Sequence, residues 1–280
     1  MTASDAFREF EHAGWSTESV TVAYHRHMGE LTRGCIPELL RAIGLKPGEK
    51  VLDVASGPGY VAAAARERGA DPVGLDFSAA QVRMAERTFP GIRFVEGDAE
   101  ALPFGDGEFD VVLNAFGMPH LPHPDKAARE AHRVLKAGGR FAYASWCEAA
   151  KCLGFSMIYD AIRAHGSLDV GLPQGPNFFS CGDPHYAAEM LRLAGFANVS
   201  TTEVPLFWRV SSPDAIMYVL ANGSVRAAAV LGRQTPENLA RISQYVRERV
   251  SGFAEDGAYA VPTPALVVAA RKDRRGAAAP

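Results

Sequence analysis

The stretch that most constrains the fold is Lys50-Val51-Leu52-Asp53-Val54-Ala55-Ser56-Gly57-Pro58-Gly59-Tyr60-Val61. Its first residues are apolar and β-branched, the pattern of a buried strand. Small residues and two glycines follow, then an alanine-rich run from Val61 to Arg68 that reads as a helix. Strand, glycine turn and helix, in that order, let an α/β sheet offer backbone N–H groups to a nucleotide-like ligand. The glycines remove side chains where such a ligand must come close. Asp53 stands at the strand end and faces the same crevice. Gly57-Pro58-Gly59-Tyr60-Val61-Ala62 also fits the dinucleotide fingerprint G-x-G-x-x-A, with Asp76 about where a ribose-binding acid falls. A tight strand-to-helix turn with no ligand would look the same.

The next segments decide between these readings. Val73-Gly74-Leu75-Asp76 reads as a second strand, and Ser78-Ala79-Ala80-Gln81 as a capping box that starts a helix through Arg87. Asp76 therefore ends strand two beside the glycine turn, where its carboxylate can accept ribose hydroxyls. Ile92-Arg93-Phe94-Val95 is strand three, and Gly97-Asp98-Ala99 follows it. Asp98 is again an acid just past a strand end, suited to an adenine amino group. Phe109–Phe116 is nearly all apolar and reads as strand four, buried on both faces. A helix from Asp125 to Leu135 then runs into Lys136-Ala137-Gly138-Gly139 and strand five, Arg140–Trp146.

Taken together, these segments resemble the class I S-adenosylmethionine-dependent methyltransferases, in the group that includes the ubiquinone/menaquinone enzymes. Four stretches carry the resemblance in register: Val51–Gly59; Gly74-Leu75-Asp76-Phe77-Ser78; Gly97–Phe104 with Phe109-Asp110-Val111-Val112; and Arg133–Gly139. The likeness is strong over about residues 45–146. Two positions depart from it: Ala55 stands where glycine is common, and Ala137 where proline is common. A dinucleotide enzyme would leave Gly97-Asp98-Ala99 and the Arg133–Gly139 run without a role.

The resemblance implies a Rossmann-like α/β fold: a seven-stranded, mostly parallel sheet with an antiparallel last strand, helices on both faces, N-terminal helices and a helical cap. It implies that the last strand, Pro264–Ala270, inserts between strands five and six. It implies S-adenosyl-L-methionine as co-substrate, with Asp76 on the ribose, Asp98-Ala99 on the adenine, and the turn from Ala55 to Gly59 with Asn114 on the methionine part. The full expected set is Tyr24, Asp53, Ala55, Ser56, Gly57, Gly59, Asp76, Phe77, Gly97, Asp98, Ala99, Asn114, Ala115 and Phe116. The expected reaction is O- or C-methylation of a small, partly apolar or aromatic molecule. The alternative is a protein that binds the co-substrate without transferring methyl, as a regulatory or partner subunit.

Residues 1–45 read as an N-terminal helical cap segment, interrupted near Gly14 and Gly34, and 46–146 as the binding core. Residues 147–272 read as the rest of the core, with insertions at about 147–183 and 212–256. Helix starts stand at Asp183-Pro184, Ser212-Pro213 and Thr235-Pro236. Leu239, Ile242, Val246 and Val250 form one apolar face. Val199–Val210 reads as one extended stretch. From Arg271 the chain reads as a charged tail, flexible over 273–280. Phe155, Met157, Tyr159, Phe178, Phe179, Phe207, Trp208, Met217 and Tyr218 make the second half rich in large apolar groups, suited to an acceptor pocket.

With 280 residues and a formal net charge of −3, the chain carries no general basic surface, so no nucleic-acid partner is expected. Its four cysteines, Cys35, Cys147, Cys152 and Cys181, show no C-x-x-C pair and no zinc spacing, so reduced thiols and no metal site are expected. No leader-like or bilayer-spanning run is seen, and the expected location is cytoplasmic. The sequence does not determine the oligomeric state. If the acceptor is a hydroxyl or an acidic carbon, a base helps remove its proton. His120, in the loop after strand four, is the first choice. His123, between two prolines, reads as structural, and His165 and His185 are second choices.

Overall fold

The computed structural model describes residues 2–274. Four helices come first: α1 (Ala3–Trp15), α2 (Glu18–His27), α3 (Gly29–Arg33) and α4 (Ile36–Ile43). The alternating core follows as β1 (Lys50–Val54), α5 (Tyr60–Glu67), β2 (Asp71–Asp76), α6 (Ala79–Thr88), β3 (Arg93–Glu96), β4 (Phe109–Ala115), α7 (Pro124–Val134) and β5 (Leu135–Trp146). Then come α8 (Leu153–His165), α9 (Pro184–Leu193), β6 (Phe196–Val204), β7 (Phe207–Val210), α10 (Ala215–Gly223), α11 (Arg226–Leu231), α12 (Pro236–Ser251), β8 (Ala254–Glu255), β9 (Ala258–Pro262) and β10 (Ala265–Lys272).

Seven strands form one sheet in the order β3-β2-β1-β4-β5-β10-β6, with β10 antiparallel to both neighbours. The expected insertion of the last strand is therefore observed. Two extensive apolar clusters, one on each face, bury the sheet between helices. This is why β1 and β4 are almost wholly apolar: both faces are covered. The strand order reverses direction at β1, between β2 and β4, and a crevice opens there at the carboxyl ends of the strands. Parallel register sets Asp53 beside Gly74 and Leu113, and Asp76 beside Glu96, so the acids share one rim. Gly59 turns the chain into α5 at φ 87°, and a β-carbon there would lie 2.7 Å from Phe94.

Several expectations need correction. Val199–Val210 is not one strand. Pro205, which has no N–H to donate, separates β6 from β7, and β7 joins β9 and β8 in a second, three-stranded sheet. The second insertion thus ends in a β8–β9 hairpin, with Asp256 and Gly257 both at positive φ. The capping box at Ser78 is half made: its hydroxyl accepts from Gln81 N–H, but its own N–H goes to Asp76. Ser212-Pro213 does not start a helix, because α10 begins at Ala215 and the Ser212 hydroxyl accepts from Asp214 N–H in a local turn. Thr235 and Asp183 do cap α12 and α9. The N-terminal helices do break close to Gly14, at Ser16-Thr17, and again at Gly34-Cys35, whereas Lys136–Gly139 already belong to β5. Arg271 and Lys272 lie on β10, where the Lys272 ammonium donates to the carbonyls of His132 and Leu135. Of the expected flexible tail, 275–280 lies outside the described residues.

Candidate active site

A cavity of about 690 Å³ opens over the carboxyl ends of β1 to β4. Its floor is the strand rim. Its opposite wall comes from α1 to α3, from α8, from the loop between α8 and α9, and from the α10–α11 corner. Tyr24, Asp53, Ala55, Ser56, Gly57, Asp76, Phe77, Gly97, Asp98, Ala99, Ala115, Phe116 and His120 all line it. Gly59 and Asn114 do not. Gly59 shapes the turn from behind. Asn114 is buried beneath the rim: its amide donates to the Val54 carbonyl, and its Oδ1 accepts from Gly117 and Met118 N–H. It ties the loop after β4 to the end of β1 and leaves the lining to its neighbours.

The rim is dense in buried acid. Asp76 accepts from Gly57 N–H at 2.8 Å and from Ser78 N–H at 2.9 Å, one bond on each oxygen. Burial pushes its carboxyl up to about 6 despite these bonds. Asp53 accepts from Ala62 N–H through Oδ2, while Oδ1 has no partner among the described residues. Burial, and then the charge of nearby Asp76, push Asp53 up to about 8. Ser56 Oγ and Gln81 Oε1 are likewise buried without partners. Unpaired buried polar atoms cost about 1–3 kcal/mol each, and these three belong to residues that line the cavity, so its rim is polar and short of partners. Two buried carboxyls and an amide oxygen make a set of acceptors, which suits a ligand that brings donors and positive charge.

The turn above β1 carries strain. Ala55 sits at φ 52°, a left-handed conformation that suits glycine. Its methyl has room because residue 117 is glycine: a β-carbon there would lie 2.5 Å from that of Ala55. Phe116 is also left-handed, at φ 62°, and its ring stacks on Trp146 at 4.0 Å. This places an aromatic face on the cavity wall.

His120 is held from the other side. Its Nδ1 lies 2.9 Å from Glu11 Oε2, which also accepts from the Trp15 indole N–H at 3.0 Å. Glu11 is 2 % exposed. Against a carboxylate Nδ1 carries the hydrogen, so in the neutral form of the ring Nε2 is the acceptor. The rings of Trp15 and Phe178 meet the imidazole edge-on at 5.1 and 5.9 Å. His165 instead packs on Tyr245, and exposed His185 is in the first turn of α9, so neither reaches the cavity. His123 is also absent from the lining. Of the expected aromatic pocket, Phe155, Tyr159 and Phe178 line the cavity, whereas Trp208 and Met157 are core and Phe207 and Tyr218 face outward.

Sequence reasoning did not assign Glu11, Trp15, Arg8, Arg33, Gln81 or Arg226, all of which line the cavity. Glu11 had a signal: it interrupts the stripe Phe7, Glu11, Trp15 that α1 buries. Arg8 bridges Asp98 at 2.7 Å and Glu100 at 2.6 Å, clasping α1 over the loop after β3. Arg33 donates to the Gly29 carbonyl and lies 5.0 Å above the Tyr60 ring. No helix among the described residues is long and apolar enough to cross a membrane.

Residues 52–143 match the family model described as a methyltransferase domain. The demethylmenaquinone methyltransferase of Renibacterium salmoninarum is 43% identical over 105 residues, 38% of this chain and 44% of that protein. The enzyme of the same name from Clavibacter sepedonicus is 41% identical over 177 residues, 57% of this chain and 70% of that protein. The chain thus spans under half the length of the first relative and over two thirds of the second. The solved structure of the Bacillus halodurans protein BH2331 shares the fold at a TM-score of 0.58 and 23% identity, covering 85% of this chain and 98% of that one. The matched stretch is the one that builds the acid-lined rim, and the chain belongs to the class I S-adenosylmethionine-dependent methyltransferases.

Proposed function

We propose that the protein transfers a methyl group from S-adenosylmethionine to a small, partly apolar or aromatic acceptor at an oxygen or an acidic carbon. One observation carries the reading: a single cavity is lined by the acids Asp53 and Asp76 at its strand rim and by an oriented imidazole on the facing wall.

The co-substrate supplies an activated methyl on a sulfonium, so the chain's tasks are alignment, water exclusion and proton removal. Asp76 and Asp98-Ala99 would hold the adenosine, and Asp53, Ser56 and Gly57 the amino-acid end. Arg33 stands beside Tyr60, the first residue of α5, and has no carboxylate within salt-bridge distance among the described residues, so it suits the carboxylate of that end. The stacked Phe116 and Trp146 offer aromatic surface to a cationic sulfur. His120 would accept the acceptor's proton at Nε2, and Glu11 would hold the ring and stabilise its charged form. Residues 1–45 and the insertions at about 147–183 and 212–256 act as the acceptor cap, within the cytoplasm.

Calorimetry with S-adenosylmethionine and S-adenosylhomocysteine tests the first half: both should bind, and absence of both sinks the proposal. Release of S-adenosylhomocysteine across a panel of phenols, quinols and carboxylates tests the second. Binding without release on any acceptor would favour a protein that holds the co-substrate and transfers nothing.

A further inference from the structure

One cation on the cap wall is left unused by this chemistry. Arg226 opens α11 and lines the cavity, half-buried. One of its nitrogens, Nη1, donates to the Pro173 carbonyl at 2.8 Å, which fixes the guanidinium against the loop between α8 and α9. Nε and Nη2 have no hydrogen-bond partner, and no carboxylate lies within 4.0 Å of the group, among the described residues. Glu11, an acid lining the same cavity, is already taken up by Trp15 and His120. Tyr159 is near enough to both for the charges of Arg226 and Glu11 to act on its hydroxyl. Around these polar groups the wall is aromatic, with Phe155, Phe178 and Trp146.

A guanidinium held at one corner, in a partly dehydrated chamber, with its remaining N–H groups free, is built to meet an anion. The planar fork matches a carboxylate in two parallel bonds, each strengthened by charge. Arg33 does not compete for this role, since it lies over the Tyr60 ring at the start of α5. From this we infer that the acceptor is an aromatic carboxylic acid, with its carboxylate on Arg226 and the atom to be methylated within reach of His120. The inference rests on the methyl-transfer reading for the position of the reacting atom, while the anion site itself does not.

Trp15 and Trp146 line the same cavity, so intrinsic fluorescence reports occupancy directly. The full chain, saturated with S-adenosylhomocysteine, is titrated with 4-hydroxybenzoate, benzoate and cinnamate and with the methyl ester of each. At least one acid should bind tenfold or more tightly than its own ester. Arg226→Gln should erase that preference and Arg226→Lys restore part of it, while affinity for S-adenosylhomocysteine stays within twofold. If no acid binds the wild-type protein better than its ester, the inference is overturned, whether or not any variant folds. It is also overturned if Arg226→Gln weakens acid and ester equally. Failure of the methyl-transfer reading looks different: S-adenosylhomocysteine would not bind, or no acceptor would cause its release from S-adenosylmethionine.

Discussion

The two walls of the cavity are held in place by different means. The strand rim is fixed by the main chain: Asp53 and Asp76 together accept from three backbone N–H groups, and neighbouring strands set their spacing. The facing wall is gathered from segments far apart in sequence and is tied by single side-chain links. Arg8 reaches Asp98 and Glu100, the Ser78 hydroxyl donates to the Trp15 carbonyl, and Arg226 reaches Pro173. A rim built on backbone tolerates little change, whereas a wall built on side chains can be altered one residue at a time. On the proposed assignment of co-substrate to the rim and acceptor to the cap, the two tasks are separable, and substitutions should separate them.

The sharpest test lies on the cap side. His120→Ala should lower kcat by about 10²–10⁴-fold, the usual contribution of a positioned base, with S-adenosylhomocysteine affinity within twofold. A matching loss of that affinity would show that the two walls are not independent. On the rim, Asp76→Asn should weaken S-adenosylhomocysteine by about 1.5–3 kcal/mol, the range for hydrogen bonds to a charged group, at little cost to kcat under saturation. Asp76→Ala is a poorer probe, because it strands the N–H groups of both Gly57 and Ser78 where asparagine strands one, and its melting temperature should fall further.

The next effect depends on pH. Asp53 and Asp76 have folded-state values of about 8 and about 6, above the 3.8 of an unfolded aspartate. The folded protein therefore holds protons that the unfolded chain releases. The stability these groups contribute is full below about pH 4 and is lost as pH rises through 6 and then 8. Thermal melts of the ligand-free protein should show this slope, and Asp53→Asn should flatten its upper part. A cationic co-substrate favours the ionised acids, so its affinity should rise over the same interval with release of protons, measurable by calorimetry in two buffers of different ionisation heat. A flat profile would show that the rim is not a site for positive charge. The smallest effect is at Ala55, where glycine should be neutral or stabilising by up to about 1 kcal/mol because the left-handed strain is removed. Denaturant midpoints would read it.

The rim was legible in the sequence because it is local. A strand, a turn and an acid at each strand end occupy a few consecutive residues, and the parallel register does the rest. Asn114 misled because it stands in the right stretch but faces beneath the rim. The cap wall was less legible because its polar residues meet only in three dimensions. Glu11 and His120 are 109 positions apart, and nothing near either one names the other. Each did leave a mark in its own segment. Glu11 sits on an otherwise apolar helical stripe, and Arg226 is a lone charge in the run Val225–Leu231. The β8–β9 hairpin had a sign as well, Asp256-Gly257, a favoured pair for a two-residue turn.

The placement of β10 sets the order in which the molecule can be assembled. Without residues 265–272, β6 has no neighbour in the main sheet and the outer edge of β5 is unpaired. On a ribosome, the β1–β5 half is made early but stays open along one side until β10 emerges and closes the seam. Long-range pairings of this kind are slow to form. While that seam is open, the edge of β5 presents unpaired N–H and C=O groups, a template for misassociation.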